Sequence, residues 1–505
     1  MVLRILAVVV AVVATAGAGL LVAQTPPEGA STPPSPAAEV AATPAPAPAA
    51  TEPAARPRRT ATPTPPPAVA TPQPALPPST SFPRVTRRLD RLVSRNPISG
   101  VVALAVYDDE SRPVYTYEAS RSLLPASTQK LPVAAAALVR LGPEFRYTTA
   151  VATTTPARPN GVVDGDLVIV GGGDPALAGP DFARVEPERP RTPMETLAQR
   201  VRQAGIRRVR GRIIGDPSVF AHEPVAAGWP SRYFSSLDAT PISGLTVDAG
   251  RRITRSGSGL RAVAAQDPAH EAARVFRRLL RQQGVRVDGA ARAVRQSPVT
   301  TTEVAHVQSD TMETLLTYMV QRSDNHLADT IFRTVGLHAG DSTWIGSAGA
   351  TAETLAPLQL SWEGVVLADG SGLSRSNRVS ADFLAQLQAR MALSNVQQQW
   401  FALLAVSGQS GTLRHRMLGT VAEKRVYAKT GSLRDVASLV GTVAGTRQRR
   451  LHFAVVGNQL ASTSALRELA DRAAVAMAEE LHDCRRVRPP PGNRKKPRPV
   501  RLVCG

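Results

Sequence analysis

Strand and helix patterns lie at both ends of one long stretch of this 505-residue chain, and a region of different texture separates them. Apolar segments at 101–107 and 113–117 predict a strand hairpin near the start of the stretch. Three more strand patterns, 425–428, 437–443 and 451–456, lie close to its end. We therefore predict an α/β (α+β) domain whose first and last strands form one antiparallel sheet flanked by helices, interrupted by a mostly β insert.

The N-terminal region predicts export. An apolar run follows Arg4 and is near the length that spans a bilayer, so a cleaved signal peptide and an uncleaved membrane anchor fit it equally. Either one places the protein in the cell envelope or periplasm, or outside the cell. The next segment is rich in Pro, Ala and Thr and has too few large apolar residues to fold. The predicted parts are a signal peptide or anchor (1–23), a disordered linker (24–83), the α/β domain (84–150 and 300–483), the insert (151–299) and a basic tail (484–505).

The net charge of +20 indicates anionic surroundings. Eight Arg or Lys residues and no acidic residue follow Cys484. This tail is either a solvated extension or a means of adhering to anionic wall polymers. Nucleic-acid binding conflicts with export and with the lack of interleaved aromatic residues. Cys484 and Cys504 predict one local disulfide, and no metal-type spacing predicts a metal or other cofactor.

The chain is poor in Lys, so each Lys is a candidate for a task that Arg cannot perform. Only five of the 60 basic residues are Lys. One of them, Lys130, follows Ser127 by three residues at the start of an Ala-rich helical segment, 131–141. This spacing places both side chains on one helix face. A Ser hydroxyl needs a base to become a nucleophile, and a buried Lys with a lowered pKa can be that base, whereas Arg stays protonated.

A second motif, Ser323-Asp-Asn325, follows the helical run 311–322. The Ser323 hydroxyl is a candidate for relaying a proton between Lys130 and a leaving group. The Asn325 amide is a candidate for holding both Lys130 and a substrate carbonyl. The tripeptide is common, and the polar end of a helix explains it equally well. Its place in the order of motifs makes it informative.

A third motif, Lys429-Thr-Gly-Ser432, follows a strand pattern near the end of the domain. Lys429 offers a fixed positive charge to a substrate carboxylate, and Thr430 adds a hydroxyl. Gly431 allows a ligand to approach the strand edge closely. The backbone N–H groups of Ser432 and Ser127 together form a candidate oxyanion hole.

Ser-x-x-Lys, Ser-x-Asn and Lys-Thr-Gly occur in this order at a helix start, a helix end and a strand, which is the signature of penicilloyl-serine transferases. Over about 84–483 the chain resembles the low-molecular-mass class C penicillin-binding proteins, the D-alanyl-D-alanine carboxypeptidase/endopeptidase family. The 196 positions between Ser127 and Ser323 match the large insert of that family, whereas serine β-lactamases have a shorter interval. Further stretches that carry the resemblance are 171–177, 215–220 with 228–230, 369–380 and 410–414.

The resemblance implies a penicillin-binding-protein/serine β-lactamase-like transpeptidase domain that cuts the bond between two terminal D-alanines of peptidoglycan stem peptides. It implies that Ser127 is the nucleophile, which β-lactam antibiotics acylate stably, and that Lys130 is the base. Lys429 and Thr430 would bind the terminal carboxylate. Asp216 matches a family position thought to contact a free amine of the stem peptide, and a structural role in a turn fits it equally.

Two other functions are alternatives. A serine β-lactamase needs an efficient deacylating base, and none besides Lys130 stands out in the sequence. A catalytically inactive wall-binding scaffold would not need the complete set of motif residues. The sequence departs from the family at Asp329, where Glu is more common, and we expect this position to lie outside the chemistry. Carboxypeptidase and endopeptidase activities cut the same kind of bond, and the motifs do not separate them.

Overall fold

The computed structural model describes residues 76–95, 98–257, 259–300, 302–487 and 501–504. All of them belong to one compact unit. The predicted signal or anchor segment and most of the predicted linker lie outside these residues. Within the described ranges, no helix is both long enough and apolar enough to cross a membrane.

Helices and strands both occur throughout the described part of the chain. The helices are α1 (Pro83–Arg95), α2 (Lys130–Arg140), α3 (Phe182–Val185), α4 (Met194–Gln203), α5 (Arg232–Ser236), α6 (Pro268–Gln282), α7 (Met312–Arg322), α8 (Asn325–Leu337), α9 (Trp344–Leu355), α10 (Ala381–Met391), α11 (Gln397–Leu403) and α12 (Thr463–Leu481). The strands are β1 (Val101–Tyr107), β2 (Pro113–Tyr117), β3 (Thr148–Thr153), β4 (Val162–Val163), β5 (Leu167–Val170), β6 (Leu177–Ala178), β7 (Thr192–Pro193), β8 (Arg208–Val209), β9 (Ile213–Asp216), β10 (Arg251–Ser256), β11 (Gly259–Ala264), β12 (Arg286–Val287), β13 (Ala291–Ala293), β14 (Thr302–Gln308), β15 (Ala405–Val406), β16 (Val426–Leu433), β17 (Val436–Ala444), β18 (Arg450–Asn458), β19 (Arg485–Val487) and β20 (Arg501–Val503).

A six-stranded antiparallel sheet forms the centre of the α/β domain, in the order β15-β16-β17-β18-β1-β2. β1 pairs along its whole length with β18, from Val101 opposite Asn458 to Tyr107 opposite His452. Strands separated by most of the domain sequence therefore share a sheet, as the strand patterns predict.

Alternation along β1 distributes its side chains between two cores, because successive residues of a strand point to opposite faces. Ala103 and Ala105 belong to the cluster that contains buried residues of α2, α7, α8, α9 and α10. Leu104 and Val106 belong to the cluster formed with α1 and α12 on the other face. The Ala-rich α2 is buried along most of its length. This packing holds its first residue, Lys130, in the protein interior.

The insert has a core of its own. Its largest sheet has five strands in the order β13-β9-β5-β3-β14, with both parallel and antiparallel pairs. The helices α4 and α6 contribute Leu197, Val201 and Phe276 to a separate buried cluster. The sequence pattern predicts α6, while the ten-residue α4 is an addition to that picture. The insert is thus built mostly of strands, with two helices that complete its core.

The outer strands of the insert reach beyond the expected limits of 151 and 299. β3 and β14 pair in antiparallel register, with Thr148 opposite Gln308 and Thr153 opposite Thr302. Because paired strands belong to one folded unit, we propose that the insert spans 148–308. The α/β domain would then comprise 84–147 and 309–483.

Cys484 and Cys504 form the disulfide that the sequence predicts. Its first cysteine lies three residues after the end of α12, and β19 and β20 pair in antiparallel register beside the bridge. The described ends of the tail, at β19 and β20, are therefore held next to each other. Residues 488–500 lie outside the described ranges.

Candidate active site

Ser127 and Lys130 face each other at the start of α2, where a 3₁₀ turn, Ala126–Gln129, leads into the helix. The Nζ atom of Lys130 lies 3.1 Å from Ser127 Oγ. The same amine donates to Asn325 Oδ1 at 2.8 Å and to the Ser371 carbonyl at 2.7 Å. Lys130 is fully buried, whereas Ser127 is partly exposed. The candidate nucleophile, Ser127, is therefore accessible to a substrate, and it contacts a candidate base, Lys130, that is shielded from water.

The second motif lies where the chain reverses between α7 and α8. Ser323 ends α7 in the left-handed conformation, with φ of 61°. Asp324 caps α8 by accepting the backbone N–H of Leu327 at 2.8 Å. Its carboxylate also forms an ion pair with Arg189 of the insert at 2.9 Å. The predicted helical run 311–322 is α7, and the reversal that follows it directs Ser323 and Asn325 to the site.

The third motif lies inside a strand rather than at its end, since Lys429 is near the middle of β16. Lys429 Nζ donates to Ser323 Oγ at 2.9 Å and to the Thr430 carbonyl at 2.8 Å. Lys429 is fully buried, like Lys130. The motif thus provides a Lys amine that is buried in the protein rather than exposed at its surface.

Two contacts differ from those expected. In the described part of the chain, the Ser323 hydroxyl contacts the amine of Lys429 rather than that of Lys130. Asn325 Nδ2 donates to the carbonyl of Asp238 in the insert at 2.9 Å, while Asn325 Oδ1 accepts a hydrogen bond from the Lys130 amine. The predicted catalytic residues nevertheless lie together, in two hydrogen-bonded groups joined by the turn 323–325.

Burial makes both amines easier to deprotonate than free Lys. It lowers the pKa of Lys130 to about 8, against the opposing charges of nearby carboxylates, chiefly that of Asp329. Burial, and then the charge of Lys130, holds the pKa of Lys429 well below its usual range. Each ammonium group disfavours the other. The site therefore favours one neutral amine, which is the form that a general base requires.

Gly431 lets β16 approach the nucleophile. A Cβ atom at this position would lie 2.2 Å from Ser438 Oγ, 2.7 Å from the Pro125 carbonyl oxygen and 3.1 Å from the backbone nitrogen of Ser127. The sequence predicts that Gly431 admits a ligand, but in the structure the close approach is to other atoms of the protein itself. Ser432 is exposed, and its Oγ accepts from Arg467 at 3.1 Å. The oxyanion hole formed by Ser127 and Ser432 stays a prediction.

Replacing Gly431 by Ala is expected to destabilise the protein by about 1–3 kcal/mol, because the new methyl group must displace the buried Ser438 hydroxyl and the backbone at Pro125 and Ser127. It should also slow penicillin labelling, since the displaced backbone carries Ser127. Gly349→Ala is the matched control, because nothing lies within 4 Å of a Cβ at that position in α9. Thermal unfolding and labelling of both variants test the expectation. Equal behaviour of the two variants would contradict it.

The sequence motifs miss a loop that supports Lys130. The carbonyl of Ser371 accepts the Lys130 amine, and Asp329 accepts the backbone N–H groups of Gly370 and Ser371, both at 2.9 Å. The sequence places Asp329 outside the chemistry, but in the structure it is one contact away from the candidate base. A backbone carbonyl requires no particular residue type, so it cannot be recognised in a sequence motif. Only the resemblance of the 369–380 stretch to the family indicates this region.

A second missed group is the hydroxyl of Thr412, which accepts from Thr430 Oγ1 at 2.9 Å. Thr412 belongs to the 410–414 stretch that carries part of the family resemblance. The two hydroxyls lie beside Lys429 on the exposed side of β16, where a substrate carboxylate would find donors. Thr430 is only partly buried, in contrast to Lys429.

Asp216 ends β9 in the insert and is almost fully buried. Its carboxylate accepts the backbone N–H of Ser218 at 3.0 Å and the hydroxyl of Ser297 at 2.6 Å. These contacts are those of a turn-stabilising residue. The described contacts do not link Asp216 to the Ser127 site, and its contact with a substrate amine stays a prediction.

A Ser hydroxyl in contact with a buried Lys at a helix start, beside a strand of an antiparallel sheet, defines a serine hydrolase that uses Lys in place of His. Comparison with known proteins narrows this class to one family. The model of the D-Ala-D-Ala carboxypeptidase 3 (S13) family matches residues 85–260 and 254–480, and the chain belongs to that family. The predicted family and the predicted enzyme class, a serine-type D-Ala-D-Ala peptidase, are confirmed.

Curated relatives agree with this family. A D-alanyl-D-alanine carboxypeptidase of Actinomadura sp. (strain R39) is 29% identical over 458 residues, which cover 76% of this chain and 81% of the relative. A carboxypeptidase of Mycobacterium tuberculosis is 30% identical over 344 residues, covering 67% of this chain and 71% of the relative. The crystal structure of penicillin-binding protein 4 of Haemophilus influenzae superimposes with a TM-score of 0.67 at 21% identity, covering 78% of this chain and 99% of that one. The predicted fold is thereby confirmed.

Proposed function

We propose that this peptidase removes the terminal D-alanine of peptidoglycan stem peptides through an acyl-enzyme on Ser127, with Lys130 as general base. The observation that carries the proposal is the 3.1 Å contact between the fully buried Lys130 amine and Ser127 Oγ. A base with a pKa lowered to about 8 has a usable neutral fraction near neutral pH. The complete catalytic set argues against an inactive scaffold, and membership of the family argues against a β-lactamase.

Acylation begins when the neutral Lys130 amine takes the Ser127 proton. The alkoxide attacks the carbonyl carbon between the two D-alanines, and the carbonyl oxygen gains negative charge. Gly431 brings β16 close to the backbone nitrogen of Ser127. This proximity supports an oxyanion hole made by the N–H groups of Ser127 and Ser432. Asn325 keeps the base directed at Ser127 through its 2.8 Å contact with Lys130.

The leaving D-alanine needs a proton on its nitrogen. Ser323 is suited to deliver it, because its hydroxyl lies in the same turn as Asn325 and touches the Lys429 amine at 2.9 Å. Ser323 would donate its own proton and regain one from Lys429 or Lys130. Water then hydrolyses the Ser127 ester and releases the shortened peptide. β-Lactams would form an ester with the same Ser127 oxygen as their ring C–N bond opens, which supports their use as covalent probes of Ser127.

The carboxylate of the substrate would be held by Thr430, Thr412 and the charge of Lys429. An anion placed at this point favours the ammonium form of Lys429. A newly charged Lys429 would in turn disfavour a proton on Lys130, because each amine disfavours charge on the other. Carboxylate binding therefore promotes the neutral base. This coupling gives a physical reason for preferring substrates with a free terminal carboxylate.

The rate constant of acylation is expected to rise with pH and to level off above about pH 8. The neutral amine of Lys130 is the active form, and burial lowers its pKa to about 8. Below that pH the neutral fraction falls about tenfold for each unit, so acylation should slow in proportion. Stopped-flow labelling with a fluorescent penicillin, at pH values on both sides of 8, measures this dependence. A rate that stays constant from about pH 6 to 9 would contradict the role of Lys130.

The choice between a free peptide end and a cross-link is tested with two substrates. The purified full chain is incubated with a stem pentapeptide and with a cross-linked peptide dimer, and mass spectrometry identifies the products. Loss of one D-alanine from the pentapeptide supports the proposal, whereas cleavage of the dimer alone would make the protein an endopeptidase. If neither peptide is cleaved and penicillin does not label the protein, the proposed function is refuted.

We also propose that the basic tail binds an anionic polymer of the cell wall. Cys484, which begins the tail, borders a groove of about 790 Å³ lined by basic side chains. These are Arg84, Arg88, Arg91, Arg95 and Arg472. Arg84 pairs with Glu480 and Asp483, Arg88 with Glu479 and Arg472 with Glu468, while Arg91 and Arg95 add further positive charge. The groove is therefore a basic surface next to the disulfide at which the tail begins.

Sedimentation with isolated cell walls at low and high salt tests the tail. Replacing Arg494, Lys495 and Lys496 by Ser should weaken retention, and salt should weaken it in the parent protein. Replacing three exposed arginines of the insert, Arg207, Arg255 and Arg261, removes the same charge elsewhere and should have less effect. Equal losses would mean that net charge rather than the tail drives binding.

Peptidoglycan as substrate places the protein in the cell envelope. An uncleaved apolar N-terminal segment would hold it at the membrane, with the Pro-rich part of the chain before α1 as a spacer that lets the catalytic domain reach the wall. Mass spectrometry of the protein isolated from membranes and from the soluble envelope fraction distinguishes an anchor from a cleaved signal peptide.

A further inference from the structure

The loop 369–374 forms the support on which the start of α2 rests. Its Ser371 carbonyl accepts the Lys130 amine at 2.7 Å, and its Asp369 carbonyl accepts from Gln129 Nε2 at 3.1 Å. At Gly372, where φ is +85°, a Cβ atom would lie 1.9 Å from the carbonyl oxygen of Ala126. The loop therefore touches the residues on both sides of Ser127 as well as the candidate base.

Two buried carboxylates hold this loop in shape. Asp369 accepts the backbone N–H groups of Gly372 and Ser374, at 2.8 and 2.7 Å. Asp329, on α8, accepts those of Gly370 and Ser371. Both side chains are at most 1% exposed. Two carboxylates thus accept four backbone N–H groups of one short loop. These hydrogen bonds restrict the orientation of the Ser371 carbonyl.

The insert reaches the same loop through one indole. Trp229 Nε1 donates to Asp369 Oδ2 at 2.8 Å. Next to it, Ser374 Oγ donates to the carbonyl of Ala227 at 2.5 Å. Gly228, with φ of +80°, allows this approach, because a Cβ there would lie 2.7 Å from Ser374 Oγ. The insert is thereby connected to the base in three steps. The Trp229 indole contacts Asp369, Asp369 binds the backbone of the loop, and the Ser371 carbonyl of the loop accepts the Lys130 amine.

We propose that Asp329 and Trp229 are positioning residues for acylation, which fix the loop 369–374 so that its Ser371 carbonyl directs the Lys130 amine at Ser127. The inference rests on the proposed role of Lys130. The side-chain hydrogen bonds that Asp329 and Trp229 form among the described residues go to this loop, and the proposed carboxylate donors at Thr430 and Thr412 are not part of it. The two residues therefore affect the rate of the covalent step rather than the affinity of the initial complex, because they orient the base and leave the carboxylate donors untouched.

Trp229→Phe isolates the indole N–H, since the ring remains to fill the core. Penicillin acylation is followed by stopped flow over a range of concentrations, which separates the acylation rate constant from the dissociation constant of the initial complex. We expect a loss of about tenfold or more in the rate constant, as a shift of the base by a fraction of an ångström has effects of this size. The dissociation constant should stay within about twofold, because the carboxylate donors are unchanged.

Trp344→Phe is the matched control. Trp344 is buried to a similar degree and packs edge-on against Trp229, with ring centroids 5.7 Å apart. Its indole donates instead to the carbonyl of Glu223 at 3.0 Å, away from the loop. A general loosening of this aromatic cluster would affect both variants alike. Equal acylation rate constants in the two variants would overturn the inference.

Asp329 offers a second, independent measurement. Asp329→Asn keeps a side-chain oxygen that can accept the backbone N–H groups of Gly370 and Ser371, so it tests whether these hydrogen bonds, rather than the carboxyl charge, support the base. Asp329→Ala should lower the acylation rate constant as Trp229→Phe does, and Asp329→Asn should restore most of it. An Asn variant as slow as the Ala variant would contradict positioning through the backbone N–H groups. If Asp329→Ala does not fold, the comparison of Trp229→Phe with Trp344→Phe tests the positioning role by itself.

Failure of this inference is distinguishable from failure of the proposed function. A parent protein that penicillin does not label at Ser127 would refute the function itself. A parent protein that is labelled, with variants that react equally fast, would refute only the positioning role.

Discussion

Replacing Ser127 by Ala is expected to abolish both penicillin labelling and D-alanine release. Ala has no oxygen with which to form the ester, and the amine that lies 3.1 Å from Ser127 Oγ is left without a proton to accept. Removing the nucleophile of a serine protease lowers kcat by a factor on the order of 10⁶, and we expect a loss of similar size here. The fold should persist, because Ser127 is only partly buried and loses a single hydroxyl.

Intact-protein mass spectrometry after incubation with penicillin measures the adduct directly. Ser464→Ala, at an exposed position of α12, is the control and should be labelled like the parent protein. Melting temperatures of the parent protein and both variants show whether the fold is kept. A Ser127→Ala variant that still forms a stable adduct would move the nucleophile to another residue and refute the proposed mechanism.

The central sheet can be predicted because its evidence is local. The apolar run at 101–107 and the three strand patterns near the end of the domain read as strands whatever surrounds them. Their pairing in one sheet is an inference from the α/β pattern at both ends of the domain, and the register of β1 with β18 agrees with it. The limits of the insert are harder to place, because β3 and β14 are recognised as its outer strands only once they pair with each other.

The candidate site is predictable where side chains carry the chemistry and is missed where the backbone does. Ser127, Lys130 and Lys429 stand out through residue type and order. The Ser371 carbonyl, which accepts the Lys130 amine, has no residue-type requirement and cannot appear in a motif. The link between Asp329 and the site is likewise absent from the motifs, because the two N–H groups that Asp329 accepts belong to a loop about 40 positions away.

The contact of Ser323 with Lys429 changes the proposed proton path. The sequence motifs suggest a relay between Ser323 and Lys130, yet the described contacts place the Lys429 amine next to the Ser323 hydroxyl. A buried amine with a lowered pKa can give up a proton readily. Lys429 is thus suited both to attract a carboxylate and to resupply Ser323, and its two roles occur at successive stages of the reaction.

Replacing Lys130 by Arg is expected to slow acylation by a factor of about 10²–10⁴, the usual contribution of a general base. Arg keeps the positive charge that balances the buried carboxylates beneath the site, but its guanidinium does not release a proton in this pH range. The variant should therefore lose the rise in rate toward pH 8 that the neutral Lys130 amine produces. A protein that is slow at every pH, with a flat profile, is the expected result.

Lys424→Arg makes the same substitution at an exposed Lys and is expected to leave both the rate and its pH profile unchanged. Because Arg is larger than Lys and position 130 is fully buried, the melting temperature of each variant must accompany its rate. A folded Lys130→Arg variant that acylates at the parent rate would exclude Lys130 as the base and leave Lys429 as the remaining candidate among the buried amines of the described residues. A folded variant that is slow but keeps the parent pH profile would assign the titration to another group. Only loss of rate together with loss of the pH dependence ties the base to the amine that touches Ser127.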